Sequence, residues 1–251
     1  MGFRVLRVLR MAEGPLPLRE IASRAQMPPS KVHLYLVSFV REQMAYQDLK
    51  NGYYGLGSFA IQLGLAAIRQ IDVVSLAADL VDDLRDKTDC AVYLSLWGDR
   101  GPCIVSKADG SLQGAFSVRL GYILPVTTTA TGLVFLAYLP QNDADKALEA
   151  QLAYDAAMGN TTSLSKKAVM ERTVTIRAEG YASTVGMLHR NFAGMAAPVF
   201  DFSGRIAAGL TLLGPNDYVV GDRQETFRHL LLDAAETISQ RLGAAAKAAA
   251  E

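Results

Sequence analysis

The chain has 251 residues, half of them hydrophobic and a fifth charged, and its 25 basic and 25 acidic side chains cancel. This length and composition predict two folded units with separate hydrophobic cores, since domains run to roughly 100–200 residues. No apolar run approaches the ~20 residues of a membrane span, and the first residues do not form a secretory signal, so we expect a cytoplasmic protein without a membrane partner.

The first sixty residues predict three short helices followed by a β-hairpin. The helices are expected at Phe3–Ala12, Leu18–Ala25 and Pro29–Glu42. Breaks that contain glycine and proline separate them, as is typical of helix ends. Two short extended segments, Met44–Gln47 and Tyr53–Leu56, flank Asn51-Gly52, and this dipeptide is a strong hairpin signal. The order is that of a winged helix-turn-helix, which predicts double-stranded DNA as a partner.

The third helix is expected to lie in the major groove and to contact base edges. In helical register Val32 and Leu36 share the face that would pack inward, which leaves the opposite face for DNA. The predicted DNA contacts are Ser30, Lys31, His33, Leu34, Tyr35, Ser38 and Arg41 on this helix and Lys50 in the hairpin turn. Leu34 makes the reading face partly apolar, although a leucine can contact a thymine methyl group. Base discrimination is therefore assigned to Lys31, His33 and Tyr35.

The distribution of charge supports this interpretation although the net charge is zero. Through Ala60 the chain has eight basic and four acidic residues, which gives +4, and the remainder carries −4. A positive first unit suits phosphate contacts, which supply most nonspecific affinity for DNA. Alternatively, Arg4, Arg7 and Arg10 form an ordinary solvated helix face.

The rest of the chain predicts a connecting helix and an α/β domain. Helices are expected from Ser58 to about Ile71 and at Val74–Lys87, Thr129–Leu139, Asn142–Leu152, Ser165–Glu179 and about Asp222–Gly243. Strands are expected at Cys90–Trp97, Pro102–Ser106, Gln113–Arg119, Gly194–Asp201 and Arg205–Leu213. This order favours a curved antiparallel sheet with helices packed against it. The predicted fold class is α+β, with a winged helix-turn-helix at residues 1–57, a helical linker at 58–73 and an α/β domain at 74–251.

One segment and two cysteines bear on whether the chain binds a small ligand or a metal. Residues 127–132, Thr-Thr-Thr-Ala-Thr-Gly, run from a strand end into a helix and would leave backbone N–H groups free to bind an anion. Alternatively, Thr128 or Thr129 only caps its own helix. Cys90 and Cys103 lack the spacing of metal ligands and are interpreted as buried small hydrophobic residues, so no metal or cofactor is expected.

The motifs of several enzyme classes are absent from the sequence. It contains no Gly-x-Ser-x-Gly, no P-loop and no Gly-x-Gly-x-x-Gly before a helix. The three histidines lie in different predicted elements, His33 on the recognition helix, His189 in a loop and His229 in the last helix. A catalytic triad is therefore not indicated.

Three separated segments resemble the IclR family of bacterial transcriptional regulators. The first runs from Arg19-Glu20-Ile21-Ala22 to Leu34 and continues at residues 51–57, Asn-Gly-Tyr-Tyr-Gly-Leu-Gly. The second is Leu124-Pro125 through Gly132, and the third is Gly194–Asp201 followed by Gly209–Pro215. They occur in the order of that family, and the resemblance covers nearly the whole chain. Members of the family carry a leading segment before the first helix, so a start upstream of Met1 or a frayed first helix is expected.

The resemblance implies a DNA-binding regulator that responds to an effector bound by its second domain. It also implies a homo-oligomer, a dimer or a dimer of dimers, formed through the first helix and the linker. Carried over by motif together with the turn at 128–132, the effector site comprises Thr128, Thr129, Ala130, Thr131, Gly132, Thr184, Phe192, Gly194, Thr211 and Leu213. Thr184 would lie in the loop before the central hairpin.

Departures from the family pattern suggest the kind of effector. Sensors of small oxoacids in the family carry an acidic residue in place of Thr184, a cysteine in place of Gly194 and a serine in place of Leu213. We therefore expect a roomier, more apolar pocket that binds a larger carboxylate, either aromatic or hydrophobic. The alternative is an enzyme or a binding adaptor whose winged helix contacts another protein.

Overall fold

The computed structural model describes residues 1–69, 72–112, 118–160 and 164–245, without the side chains of residues 68 and 69, and divides into two compact units, Met1–Ile71 and Asp72–Glu251. The division falls inside the segment predicted to be a linker. No helix among the described residues is long and apolar enough to cross a bilayer.

The first unit has the predicted order of helices and strands. Its elements are α1 Gly2–Met11, α2 Leu18–Ala25, α3 Pro29–Arg41, β1 Ala45–Gln47, β2 Tyr54–Leu56 and α4 Ser58–Arg69. Its core contains Val5, Leu9, Ile21, Val32 and Leu36, which recur at helical spacing on α1, α2 and α3. These apolar stripes explain why the three helices pack together.

The hairpin of this unit is joined by an isolated β-bridge that the sequence did not predict. β1 and β2 pair in antiparallel register, with Ala45 opposite Leu56. Leu16, in the break between α1 and α2, exchanges two backbone hydrogen bonds with Tyr54, at 2.9 and 2.8 Å. A single bridging residue between two prolines has no periodicity of its own, so only the folded chain shows it.

The second unit is a five-stranded antiparallel sheet covered by helices. Its strands are β3 Ala91–Gly98, β4 Gly101–Ala108, β5 Ala182–Val185, β6 Phe192–Phe200 and β7 Ile206–Pro215, in the spatial order β4-β3-β7-β6-β5. Its helices are α5 Val73–Thr88, α6 Ala130–Tyr138, α7 Gln141–Met158, α8 Lys166–Glu179, the single turn α9 Asn216–Val219, and α10 Gln224–Arg241. The predicted class, α+β with an antiparallel sheet, is confirmed.

Alternating side chains of the central strands fill two cores, one on each face of the sheet. On one face Val92, Leu94 and Leu212 pack with residues of α5 and α10. On the other face Ala196 packs with α6, and α7 and α8 lie behind α6. Helix α6 is buried from Ala130 to Ala137, and only its last residue, Tyr138, is half-buried. Its N-terminus therefore lies close to the sheet, where a ligand bound by that terminus would also contact strands.

Several predictions made from the sequence need correction. β5 was missed because a four-residue edge strand gives too little alternation, and it places Thr184 in a strand rather than a loop. Of the predicted strand Gln113–Arg119, residues 113–117 lie outside the described residues, and Val118 and Arg119 are not in a strand. Cys90 is buried as expected, whereas Cys103 is only half-buried because β4 is at the edge of the sheet.

Candidate DNA-binding and effector-binding sites

The predicted reading face of α3 is accessible. Val32 and Leu36 are fully buried, and the opposite face exposes Ser30, Lys31, His33, Leu34, Ser38 and Arg41. Most of these side chains have no strong internal partner, since Ser38 bonds only to the carbonyl of Leu34 at 3.3 Å and Arg41 only to the adjacent Glu42 at 3.1 Å. An ion pair so exposed contributes little stability and can be exchanged for a phosphate contact.

Tyr35 is less accessible than the other predicted DNA contacts on α3. Its ring is half-buried and stacks on Phe39 with centroids 6.4 Å apart. A Cβ added at Gly2 would lie 3.0 Å from Cδ1 of Tyr35, so the ring also packs against the start of α1. The position of Tyr35 in helical register is at the flank of the reading face, and packing against α1 turns its side chain inward. The structure therefore gives Tyr35 a packing role.

The hairpin turn that carries Lys50 is held by hydrogen bonds within it. The Asp48 side chain accepts from the backbone N–H of Lys50, and the Asn51 side chain accepts from the N–H of Tyr53, both at 2.8 Å. Gly52 has φ +72°, a conformation that favours glycine. Lys50 itself is exposed. The turn thus presents a positive side chain at the tip of the hairpin.

The second candidate site is a small cavity between the N-terminus of α6, the sheet and the segment before β6. It is lined by Tyr93, Thr129, Ala130, Thr184, Leu188, His189, Phe192, Gly194 and Leu213. These nine described residues include no Asp, Glu, Lys or Arg. The cavity encloses about 20 Å³, which is room for one water molecule. Phe192 and Leu188 narrow it, so in this conformation the site is smaller than the roomy pocket expected from the sequence.

The N-terminus of α6, which lines this cavity through Thr129 and Ala130, has unpaired backbone donors. The Thr129 hydroxyl accepts from the N–H of Gly132 at 3.0 Å and donates to the Pro125 carbonyl at 2.6 Å, so it caps its own helix. The preceding N–H groups, those of Ala130 and Thr131, have no hydrogen-bond partner among the described residues. Unpaired N–H groups at the positive end of a helix dipole favour an anion. Capping by Thr129 and anion binding are therefore compatible.

Four predicted effector residues do not line the cavity. The Thr131 and Thr211 hydroxyls bond to each other at 2.8 Å beneath it. Gly132 faces the other way, because a Cβ there would meet the backbone of Val126. Thr128 is also buried outside the lining. The remaining six predicted residues do line it: Thr129, Ala130, Thr184, Phe192, Gly194 and Leu213.

Three lining residues were not assigned to the site from sequence. Tyr93 lies on β3 and could have been found from its alternation with Ala91, which faces the same side of the sheet. Burial raises the pKa of the Tyr93 hydroxyl to about 12. Leu188 and His189 come from the segment between β5 and β6, and the His189 ring meets that of Phe192 edge-on at 5.3 Å. No local pattern marked Leu188 as a ligand contact.

Comparison with known proteins matches two family models to this chain. The model of the IclR helix-turn-helix domain matches residues 2–49, and that of the bacterial transcriptional regulator IclR C-terminal domain matches residues 65–240. Among characterised relatives, the regulator XynR of Escherichia coli K12 is 26% identical, covering 91% of this chain and 90% of its own length. The transcriptional repressor IclR of the same organism is 21% identical over 96% of this chain and 88% of its own.

Solved structures are also similar to this chain over nearly its whole length. The crystal structure of Pseudomonas aeruginosa HmgR is similar with a TM-score of 0.88 and 32% identity, and the match covers 98% of each chain. That of the Agrobacterium tumefaciens repressor BlcR has a TM-score of 0.78 at 19% identity, covering 97% of this chain and 96% of that one. The latter match supports the fold alone.

Proposed function

Because the chain belongs to the IclR family of bacterial transcriptional regulators, we propose that it binds operator DNA through α3 and the hairpin and responds to a small carboxylate at the N-terminus of α6. The matched families and relatives are transcriptional regulators rather than enzymes. DNA binding and transcription regulation follow from family membership. The contact residues and the class of effector are our proposal.

The exposed reading face of α3 supports the proposed DNA contacts. Lys31, His33 and Arg41 stand on that face without a buried partner, and Lys50 extends the positive surface at the hairpin tip. We assign Lys31, Arg41 and Lys50 to phosphates, with Ser30 and Ser38 as neutral donors. His33 and Leu34 are left to discriminate bases, the leucine through apolar contact with a thymine methyl group.

Exposed apolar residues of α4 support a homo-oligomer. Four large apolar side chains of α4 are 42 to 64% exposed, those of Phe59, Ile61, Leu63 and Leu65. Together they could bury considerable apolar surface against another chain. A helix that is apolar on its exposed sides normally contacts another chain. A twofold dimer would present two reading helices about one turn of DNA apart, which fits an operator with two half-sites.

The observation that carries the effector proposal is the unpaired N–H group of Ala130, with that of Thr131 next to it, at a cavity whose lining has no Asp, Glu, Lys or Arg side chain. A carboxylate bound there would meet the positive end of the α6 dipole without a competing acidic group. The apolar part of the ligand would contact Leu213 and Phe192 and occupy the space above Gly194. Binding of an aromatic acid requires Phe192 and the segment at 186–191 to move, because the cavity encloses only about 20 Å³.

Titration of the protein against duplex DNA tests the first half of the proposal. We expect fluorescence anisotropy to show tight binding to the DNA upstream of its own gene, resistant to random-sequence competitor. Affinity should fall steeply with salt, with a log-log slope near −0.9 for each phosphate neutralised. Weak binding that is insensitive to salt, from a protein shown to be folded, would instead support protein contacts through the winged helix.

A single methyl group at position 194 tests the proposed effector class. A Cβ added to Gly194 would lie 3.7 Å from both Leu213 Cδ1 and Thr184 Oγ1, which is ordinary contact without strain. Gly194→Ala should leave stability nearly unchanged but weaken binding of benzoate or phenylacetate roughly tenfold, the usual effect of one extra methyl group in a tight pocket. Glyoxylate, which does not reach this end, should bind as before.

Isothermal titration calorimetry of the three acids gives these affinities. Gly98→Ala is the matched control, since its Cβ also meets only an ordinary contact, 3.6 Å from the carbonyl oxygen of Gly101, away from the cavity. A wild-type protein that prefers glyoxylate to the aromatic acids would refute the proposed class. Unchanged benzoate affinity in Gly194→Ala would place the apolar part of the ligand elsewhere.

A further inference from the structure

The centre of the exposed face of α3 is apolar. Leu34 and Val37 are 68% and 53% exposed, and residues three positions apart are neighbours on the surface of a helix. They lie on the side of the helix opposite Val32 and Leu36, which are fully buried. Val37 was not among the DNA contacts predicted from the sequence. Together Leu34 and Val37 form an apolar patch in the middle of the face that we assign to the major groove.

Few hydrogen-bonding side chains accompany this apolar patch. Helix α3 contains no Asn, Gln, Asp or Glu, the residue types that pair with adenine or accept from cytosine in the major groove. The hydroxyl of Ser38 donates to the carbonyl of Leu34 at 3.3 Å, so its proton is used within the helix. Arg41 bonds to Glu42 at 3.1 Å at the end of the helix. Around Leu34 and Val37, apolar contact is therefore the main way left to read a base.

The methyl group of thymine is the apolar feature that the major groove offers to such a patch. It projects from C5 on the groove edge, and the other three bases carry no methyl group there. The charge around the patch also matches DNA, because the exposed Lys31 and Arg41 flank it on the same helix and phosphates border the groove on both sides. Chemistry and charge thus both favour a DNA groove as the occupant of this surface.

We infer that Leu34 and Val37 read two thymine methyl groups as a pair, and that Val37 is a specificity-determining residue of the operator contact. The inference rests on the proposed function and adds to it both a residue and a feature of the operator. Side chains about 5–6 Å apart on a helix span one or two base pairs, which are stacked about 3.4 Å apart. Each half-site therefore carries two thymines, on either strand, within one or two base pairs of each other.

Deoxyuridine in place of thymidine tests the inference, because it removes the methyl group and keeps every hydrogen-bonding group of the base. The probe is the duplex upstream of the protein's own gene, prepared once with thymine and once with uracil throughout. We expect the affinity of the wild-type protein, measured by fluorescence anisotropy, to be at least about tenfold lower for the uracil duplex. One buried methyl group contributes a factor of about four, and two are contacted in each half-site.

Val37→Ala and Leu34→Ala show which side chain makes the contact. Each should weaken binding to the thymine duplex, change binding to the uracil duplex little, and so lower the ratio of the two affinities about fourfold. Val174→Ala is the matched control, because Val174 is a valine of α8 in the second unit that is 65% exposed. Its ratio should equal that of the wild type. A general effect of uracil on the shape of the duplex would be the same for every variant and cancels in this comparison.

The outcomes separate the inference from the proposed function. A ratio of affinities in Val37→Ala equal to that of the wild type would overturn the role of Val37. Wild-type protein that binds both duplexes tightly and equally would overturn the reading of thymine methyl groups but leave operator binding intact. Folded protein that binds neither duplex would contradict the proposed function, and the inference with it. A lower ratio in Val37→Ala, with Val174→Ala unchanged, is the result that supports the inference.

Discussion

Gly132→Ala is expected to lower the stability of the second unit by about 3 kcal/mol, near the upper end of the usual cost of overpacking. The added Cβ would lie 2.6 Å from the Pro125 carbonyl oxygen and 2.9 Å from Thr129 Oγ1, and it would also collide with the backbone of Val126. Two of these three neighbours are main-chain atoms that cannot rotate away. The first turn of α6 must therefore shift as a whole.

The same shift of α6 should weaken binding of the effector. The N–H groups of Ala130 and Thr131 would move away from the cavity, and the hydrogen bond between Thr131 and Thr211 would lengthen or break. We expect benzoate affinity to fall more than tenfold, by analogy with sites in which small misplacements are costly. Calorimetric unfolding, in which 1 kcal/mol corresponds to roughly 2–4 °C for a unit of this size, measures the stability change.

Gly194→Ala serves as the control for this experiment, because it adds the same methyl group to another glycine of the second unit without a close contact. It should lower ligand affinity but leave the midpoint of unfolding nearly unchanged. An unfolding midpoint for Gly132→Ala within about 1 °C of the wild type would show that the backbone of Pro125 and Val126 can move. The backbone next to Gly132 would then not be rigid.

Lys31→Ala is expected to weaken DNA binding about tenfold, and equally on the operator and on random duplex, because a lysine on the reading face mainly neutralises phosphate charge. The slope of log affinity against log salt should fall by about 0.9, which corresponds to one phosphate. The side chain is exposed and its removal should not affect folding. Anisotropy titrations at several salt concentrations on both duplexes give both quantities.

Tyr35 provides the contrasting variants for that experiment. Tyr35→Ala removes a ring packed between Phe39 and the start of α1, so we expect it to destabilise the first unit by about 2 kcal/mol. Tyr35→Phe keeps the ring and should change neither stability nor base discrimination. Relaxed discrimination in Tyr35→Phe at unchanged stability would restore the role in base recognition that the sequence alone suggested.

Sequence determined the first unit almost completely, because its structure depends on local patterns. Apolar residues at helical spacing, such as Val32 and Leu36, predicted which face of α3 is buried. Asn51-Gly52 predicted the hairpin, and the left-handed φ of Gly52 is the physical reason for that pair. The packing of Tyr35 on Phe39 and the start of α1 did not follow from the sequence, because the burial of a residue at the edge of a helix face depends on the neighbouring helix.

In the second unit the sequence predicted the main strands and helices but not the membership of the cavity. The run at 127–132 indicated a helix N-terminus that could bind an anion, and six of the ten expected residues line the cavity. Thr131 and Thr211 were expected to face the ligand and instead face each other. A sequence motif shows where a residue lies along its helix or strand. The residues that its side chain contacts depend on how the neighbouring strands and helices pair and pack with that element.

Only the tertiary structure brought Tyr93, Leu188 and His189 to the cavity and closed it to the volume of about one water. Tyr93 reaches the site because β3 pairs with β7 although more than a hundred residues separate them along the chain. The side-chain pattern of the sequence fixes which face of a strand is buried, since alternation is a local property. Which residues then meet across that face is decided by long-range pairing and packing, to which no short segment of sequence is sensitive.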